Sequence, residues 1–78
     1  MKKELEHAIK EMAEGKENGF NAVYSATYQH VYFRAKELMR EEQDALDLVQ
    51  NVYIEAYKGI KTLQSRDALF GWLDGIVY

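Results

Sequence analysis

Between Asp44 and Tyr57 the sequence DALDLVQNVYIEAY keeps one periodicity throughout, and that periodicity decides most of what the chain can become. Ala45, Leu48, Val49, Val52 and Ala56 recur at i, i+3, i+4, i+7 and i+11. At about 100° per residue they form a single apolar stripe, the core-facing side of an amphipathic helix. Asp47, Gln50, Asn51, Ile54 and Lys58 gather on the opposite side within roughly a third of the circumference. A surface serving solubility alone would be rich in Lys and Glu. A carboxylate, two amides and an isoleucine set against the core stripe suggest instead a docking face for another macromolecule. The plain alternative is a solvated face with one stray apolar residue, a common occurrence on protein surfaces.

Three further segments carry helical patterns. Residues 1–14 hold a first helix, Lys2 to Ala13, with Leu5, Ala8, Ile9 and Met12 in register and a stop at Gly15. Gly15 to Gly19 (GKENG) reads as the clearest loop. A second helix over residues 20–39 carries a long stripe, Phe20, Val23, Tyr24, Thr27, Val31, Ala35 and Leu38. A weaker one on its other side, Ala22, Ala26 and Phe33, suggests that this helix lies between neighbours, its alanines letting the first helix approach. Tyr24, Tyr28 and Tyr32 sit four apart along one edge and read as packing with hydroxyls at the rim rather than as a base-stacking platform.

The third helix, residues 44–58, takes Asp44 as its N-cap and has Asp47 in its first turn, where the helix dipole favours a carboxylate. That role accounts for Asp47 without a partner and is compatible with one. Ile60 to Gln64 forms a connector. Ser65 caps the last helix, residues 65–78, with Asp67 in its first turn and Leu69, Trp72, Leu73 and Ile76 as its core stripe. With no proline to break these segments and only short joints between them, the expected fold is all-α, a compact bundle of about four helices forming one domain over residues 1–78.

Composition excludes several classes of function. A 78-residue chain builds only a thin core. The absence of cysteine removes disulfides and thiolate metal sites. No apolar run approaches the ~20 residues of a membrane span, and Met1-Lys2-Lys3-Glu4 does not open a signal peptide, so a cytoplasmic protein is expected. A net charge of −3 makes the whole chain a poor match for a phosphate backbone. His7 and His30 stand far apart with no second ligand at metal-binding spacing, so no metal is expected. Neither a phosphate loop nor a nucleophile with a base in reach can be found, and neither a cofactor nor catalysis is expected.

The run DALDLVQNVYIEAY, followed after a connector by a helix containing Trp72-Leu73, closely resembles region 2 of the sigma-70 family of bacterial RNA polymerase sigma factors, most nearly the small extracytoplasmic-function (ECF) type. Its acidic lead-in, Asp-Leu-Val-Gln, apolar and aromatic pair and Ala-Tyr follow the family pattern without a gap, and the distance to Trp72-Leu73 agrees. Phe20-Asn21-Ala22-Val23-Tyr24 through Ala35 is similar to the family's opening helix, so the resemblance covers about Phe20 to Tyr78. The segment before it is less diagnostic.

The resemblance implies a transcription initiation module that docks on core RNA polymerase and helps recognise and melt the −10 promoter element. Asp47, Gln50 and Asn51, with Ile54 as apolar neighbour, match the positions that contact the clamp helices of the largest polymerase subunit. Leu63 to Ala68 matches the loop that captures an unstacked −10 base of the non-template strand. Gln64 and Ser65, with Lys58, Lys61 and Arg66 as the local cations, are the implied DNA contacts; a helix cap is the plain reading of Ser65 and Asp67. Trp72 shares the stripe of Leu69, Leu73 and Ile76 and reads as core rather than stacking surface.

The family's last helix carries polar or basic residues after Trp-Leu, then an Asn and arginines; here stand Asp74 and Gly75, and the sequence stops at Tyr78. The distal DNA-reading segment and region 4, the helix-turn-helix for the −35 element, are therefore expected to be absent, either because the chain is an excised domain or because it is a short relative. Binding to single-stranded −10 DNA would then be weak alone. The alternative function is a helical protein-interaction module, a decoy or the target of an anti-sigma protein, with no DNA binding of its own.

Overall fold

Two glycines set how the first two helices meet. The computed structural model describes residues 2–63 and 68–77, the side chains from Glu4 onward, and begins with α1, Lys2–Ala13. Gly15 adopts φ 81°, the left-handed conformation that a glycine reaches without a Cβ penalty. Its N–H bonds the Met12 carbonyl at 3.0 Å and the Lys16 N–H bonds the Glu11 carbonyl at 2.9 Å, closing α1 with a Schellman motif. The chain then turns at once into α2, Glu17–Leu38.

Helix α2 therefore starts three residues before Phe20, and Gly19 belongs to it rather than to a loop. A Cβ at Gly19 would stand 2.4 Å from the Met12 backbone nitrogen and 2.7 Å from the Ala8 carbonyl oxygen. This glycine, and not the alanines, is where α1 and α2 cross. Ala22, Ala26 and Phe33 are exposed, so the weaker apolar stripe of α2 does not face a neighbour. Leu38, at the end of the main stripe, is also exposed. The buried stripe is Gly19, Val23, Thr27, Val31 and Ala35.

After a short joint, α3 spans Glu42–Gly59. Its N-cap is Glu41 in extended conformation, so Asp44 lies within the first turn, where it and Glu42 meet the positive end of the helix dipole. The buried residues of α3 are Ala45, Val49, Val52, Tyr53 and Ala56. A 3₁₀ turn over Ile60–Thr62 follows, and α4 spans Leu69–Val77, burying Leu69, Leu73 and Val77. Among the described residues the architecture is thus four α-helices around one apolar cluster, with no strand. The expected capping of α4 by Ser65, with Asp67 beside it, lies outside the described residues.

Two polar links tie the helices together. The Thr27 hydroxyl donates to the Val23 carbonyl at 2.8 Å, which leaves its lone pairs to accept the Tyr53 phenol at 2.7 Å. At the α2–α4 edge, Nε2–H of His30 donates to the Asp74 carboxylate at 2.7 Å, and Arg34 Nε reaches the same oxygen at 3.5 Å. Phe70 stands edge-on to the His30 ring at 5.0 Å.

Candidate functional site

The core stripe of α3 fixes the direction of its opposite side. With Ala45, Val49, Val52 and Ala56 turned inward, Asp47, Gln50, Asn51 and Ile54 are all exposed, Ile54 at 48% of its surface. Among the described residues, none of the three polar side chains in this quartet makes a hydrogen bond or ion pair. Three unsatisfied hydrogen-bonding groups beside an exposed isoleucine can form new bonds without first breaking internal ones.

The quartet borders a groove of about 780 Å³ between α3 and α2. Asp47, Gln50 and Ile54 line it, whereas Asn51 lies on the outer flank of α3 and does not. Val49 and Tyr53 form its floor, and Phe20, Tyr24 and Tyr28 its α2 wall. These rings make a continuous row: Phe20 meets Tyr57 at 5.9 Å, Tyr24 meets Tyr53 at 4.6 Å and Tyr28 at 5.3 Å, and Tyr28 stacks on Tyr32 at 6.0 Å. Edge-to-face and offset pairs of this kind hold one another's orientation, which gives the wall a fixed shape. Beyond Tyr28, the Tyr32 hydroxyl donates to Glu42 at 2.9 Å and pins the end of α2 to the start of α3. That bond to a carboxylate holds the Tyr32 phenol above its ordinary pKa, because ionisation would remove the donor and set two negative charges side by side. Burial pushes the Tyr53 phenol up as well, against the opposing effect of the Thr27 bond.

Reading the sequence for a docking face reached the α3 quartet but not the groove. Leu46, Tyr24, Tyr28 and Tyr57 all line it, and Tyr53 lies on its floor. Residues 43, 46, 47, 50, 54, 57 and 58 form an i, i+3/i+4 series beside the core stripe, a signal the sequence does contain. What it lacks is the partner wall, since no periodicity says which edge of α2 closes on α3.

The implied DNA positions divide. Lys58 and Lys61 are exposed at the end of α3 and in the 3₁₀ turn, Lys58 standing 4.0 Å from Glu55. Gln64, Ser65 and Arg66 lie outside the described residues. Trp72 is partly buried against the core, and its indole N–H donates to Thr62 Oγ1 at 3.3 Å while the Thr62 hydroxyl donates to the Gly59 carbonyl at 2.6 Å. This tryptophan therefore ties α4 to the end of α3. Helix α4 itself contains no basic residue, and its single carboxylate, Asp74, is engaged by His30 and Arg34.

No cluster of three His, Cys, Asp or Glu residues suited to a metal occurs among the described residues, and no described helix is long and apolar enough to cross a membrane. The family model for Sigma-70 region 2 matches residues 23–77. Comparison with curated proteins gives no significant match, and neither does comparison with solved structures.

Proposed function

Because the chain belongs to the sigma-70 region 2 family, whose members bind RNA polymerase core and promoter DNA in transcription initiation and catalyse nothing themselves, we propose that α3 is its polymerase-docking helix. Asp47, Gln50 and Asn51 provide the polar contacts and Ile54 the apolar one, toward the clamp helices of the largest subunit. The observation that carries this reading is the exposed, internally unengaged quartet directly opposite the α3 core stripe. A carboxylate and two amides can meet Arg or Lys side chains and backbone groups of a helical partner with charge-assisted bonds. Retention on immobilised core polymerase tests it, comparing the parent protein with Asp47→Ala, Gln50→Ala and the remote control Gln29→Ala. The two face variants lose retention and the control keeps it; equal retention of all four counts against the assigned face.

On the DNA side, Lys58, Lys61 and Arg66, with Gln64 and Ser65, are proposed to hold the melted −10 strand once polymerase has delivered it. A second reading keeps polymerase or regulator binding but gives up independent DNA contact. It is favoured by α4, which offers phosphates no cation and presents Phe70 and Asp74 instead. Anisotropy of a labelled single-stranded −10 oligonucleotide separates the two. Binding with core polymerase present, weakened by Lys61→Ala, supports the first reading; no binding under either condition supports the second.

A further inference from the structure

The proposed docking face does not stop at its polar quartet. Three of its members stand on one wall of the α2–α3 groove, next to Leu46, 38% exposed, and across from Tyr24, 37% exposed. Apolar atoms on both walls and on the floor make this a trough whose hydration is unfavourable. Its charges are sorted along its length. Asp47 lies toward the end closed by Tyr32 and Glu42, while Lys16 and Lys58 lie at the other end, where Phe20 meets Tyr57 and a lone carboxylate, Glu17, stands beside them. From Asp47 to Lys58 the helical rise is about 16 Å, roughly three turns of an α-helix.

The occupant must satisfy its own backbone, because the described fold has no strand edge with which an extended segment could pair. A helix does so. Carboxylates on the walls and a chain charge of −3 disfavour a nucleic acid strand. We propose, resting on the polymerase-docking reading, that the trough receives one amphipathic polymerase helix about three turns long. Its apolar residues, spaced i, i+3/i+4 and i+7, enter between Tyr24 and Leu46. A cationic side chain sits over Asp47, and a carboxylate faces Lys16 and Lys58. The aromatic row of α2 is thereby a second binding wall, and the order of charges fixes which way the partner lies.

Photo-crosslinking in the assembled complex with core polymerase tests this directly. A benzophenone amino acid is placed at Leu46 or, separately, at Tyr28, and the affinity of Leu46→Asp is measured alongside. Thermal melts followed by circular dichroism verify that each variant folds, and Gln29→Ala serves as the remote control. Both positions crosslink to a single polymerase helix, at sites one or two turns apart, and Leu46→Asp weakens binding at least tenfold, as for a buried contact at an interface centre. Crosslinks from position 46 to a helix that position 28 never reaches overturn the trough, as does undiminished affinity of folded Leu46→Asp, while the α3 face stands. Failure of the parent protein to bind core polymerase overturns the docking reading itself, and this inference with it.

Discussion

The Tyr53 phenol donates to Thr27 Oγ1 at 2.7 Å in the interior, where both residues are buried and α2 and α3 face each other. The bond joins positions 26 residues apart and sets the spacing of the two groove walls from beneath. Tyr53→Phe keeps the ring and removes the donor. It is expected to cost about 1 kcal/mol, the usual net value of one internal hydrogen bond. In a domain of this size that lowers the melting temperature by about 4–8 °C, a shift that a thermal melt reads directly.

Alkaline pH acts on the same residue. Burial raises the folded-state pKa of Tyr53 above the unfolded tyrosine value. Its contribution is therefore complete below about pH 10 and declines as pH rises from there through the higher folded value, since the unfolded chain ionises first. Urea midpoints measured from pH 8 upward fall for the parent protein, and they fall less steeply for Tyr53→Phe. Part of the decline persists in the variant, because the Tyr32 phenol is raised too.

Glycines in this chain respond to alanine with opposite signs. Gly19→Ala forces a methyl into the Met12 and Ala8 backbones and is expected to destabilise by about 1–3 kcal/mol, toward the upper end because backbone yields least. Gly75→Ala meets nothing within 4 Å and supplies a better helix former, so it stabilises by about 0.5–1 kcal/mol. Denaturant midpoints of the two variants should move in opposite directions from that of the parent.

At the α2–α4 edge, Asp74→Ala removes the acceptor shared by His30 and Arg34. All three side chains are 27–40% exposed, so solvent screens the link and the expected loss is at most about 1 kcal/mol. Raising the salt concentration should shrink the difference between variant and parent in urea unfolding.

The fold class and the outward direction of the α3 quartet were legible in the sequence because the third helix carries an unbroken 3.6-residue pattern. Tyr53 escaped that reading, since a polar tip on an aromatic ring enters the core only when a partner such as Thr27 waits there, and pairing between helices leaves no local mark. The weaker stripe of α2 misled for a related reason. Ala22 and Ala26 are apolar enough to suggest an interface but need none, while the real crossing is marked by a glycine inside what reads as a loop. Asp44 was a reasonable cap by residue type, yet the short joint after α2 starts α3 at Glu42. The His30–Asp74 link spans 44 positions and was invisible to any spacing rule.

An equilibrium titration of core RNA polymerase with the parent protein and with Asp47→Ala/Gln50→Ala bears most directly on the central claim, that the outward side of α3 grips the polymerase. Both positions are exposed, so the double variant should melt as the parent does while its dissociation constant rises at least tenfold, about 1.4 kcal/mol or more. An unchanged dissociation constant for the folded double variant would contradict the claim.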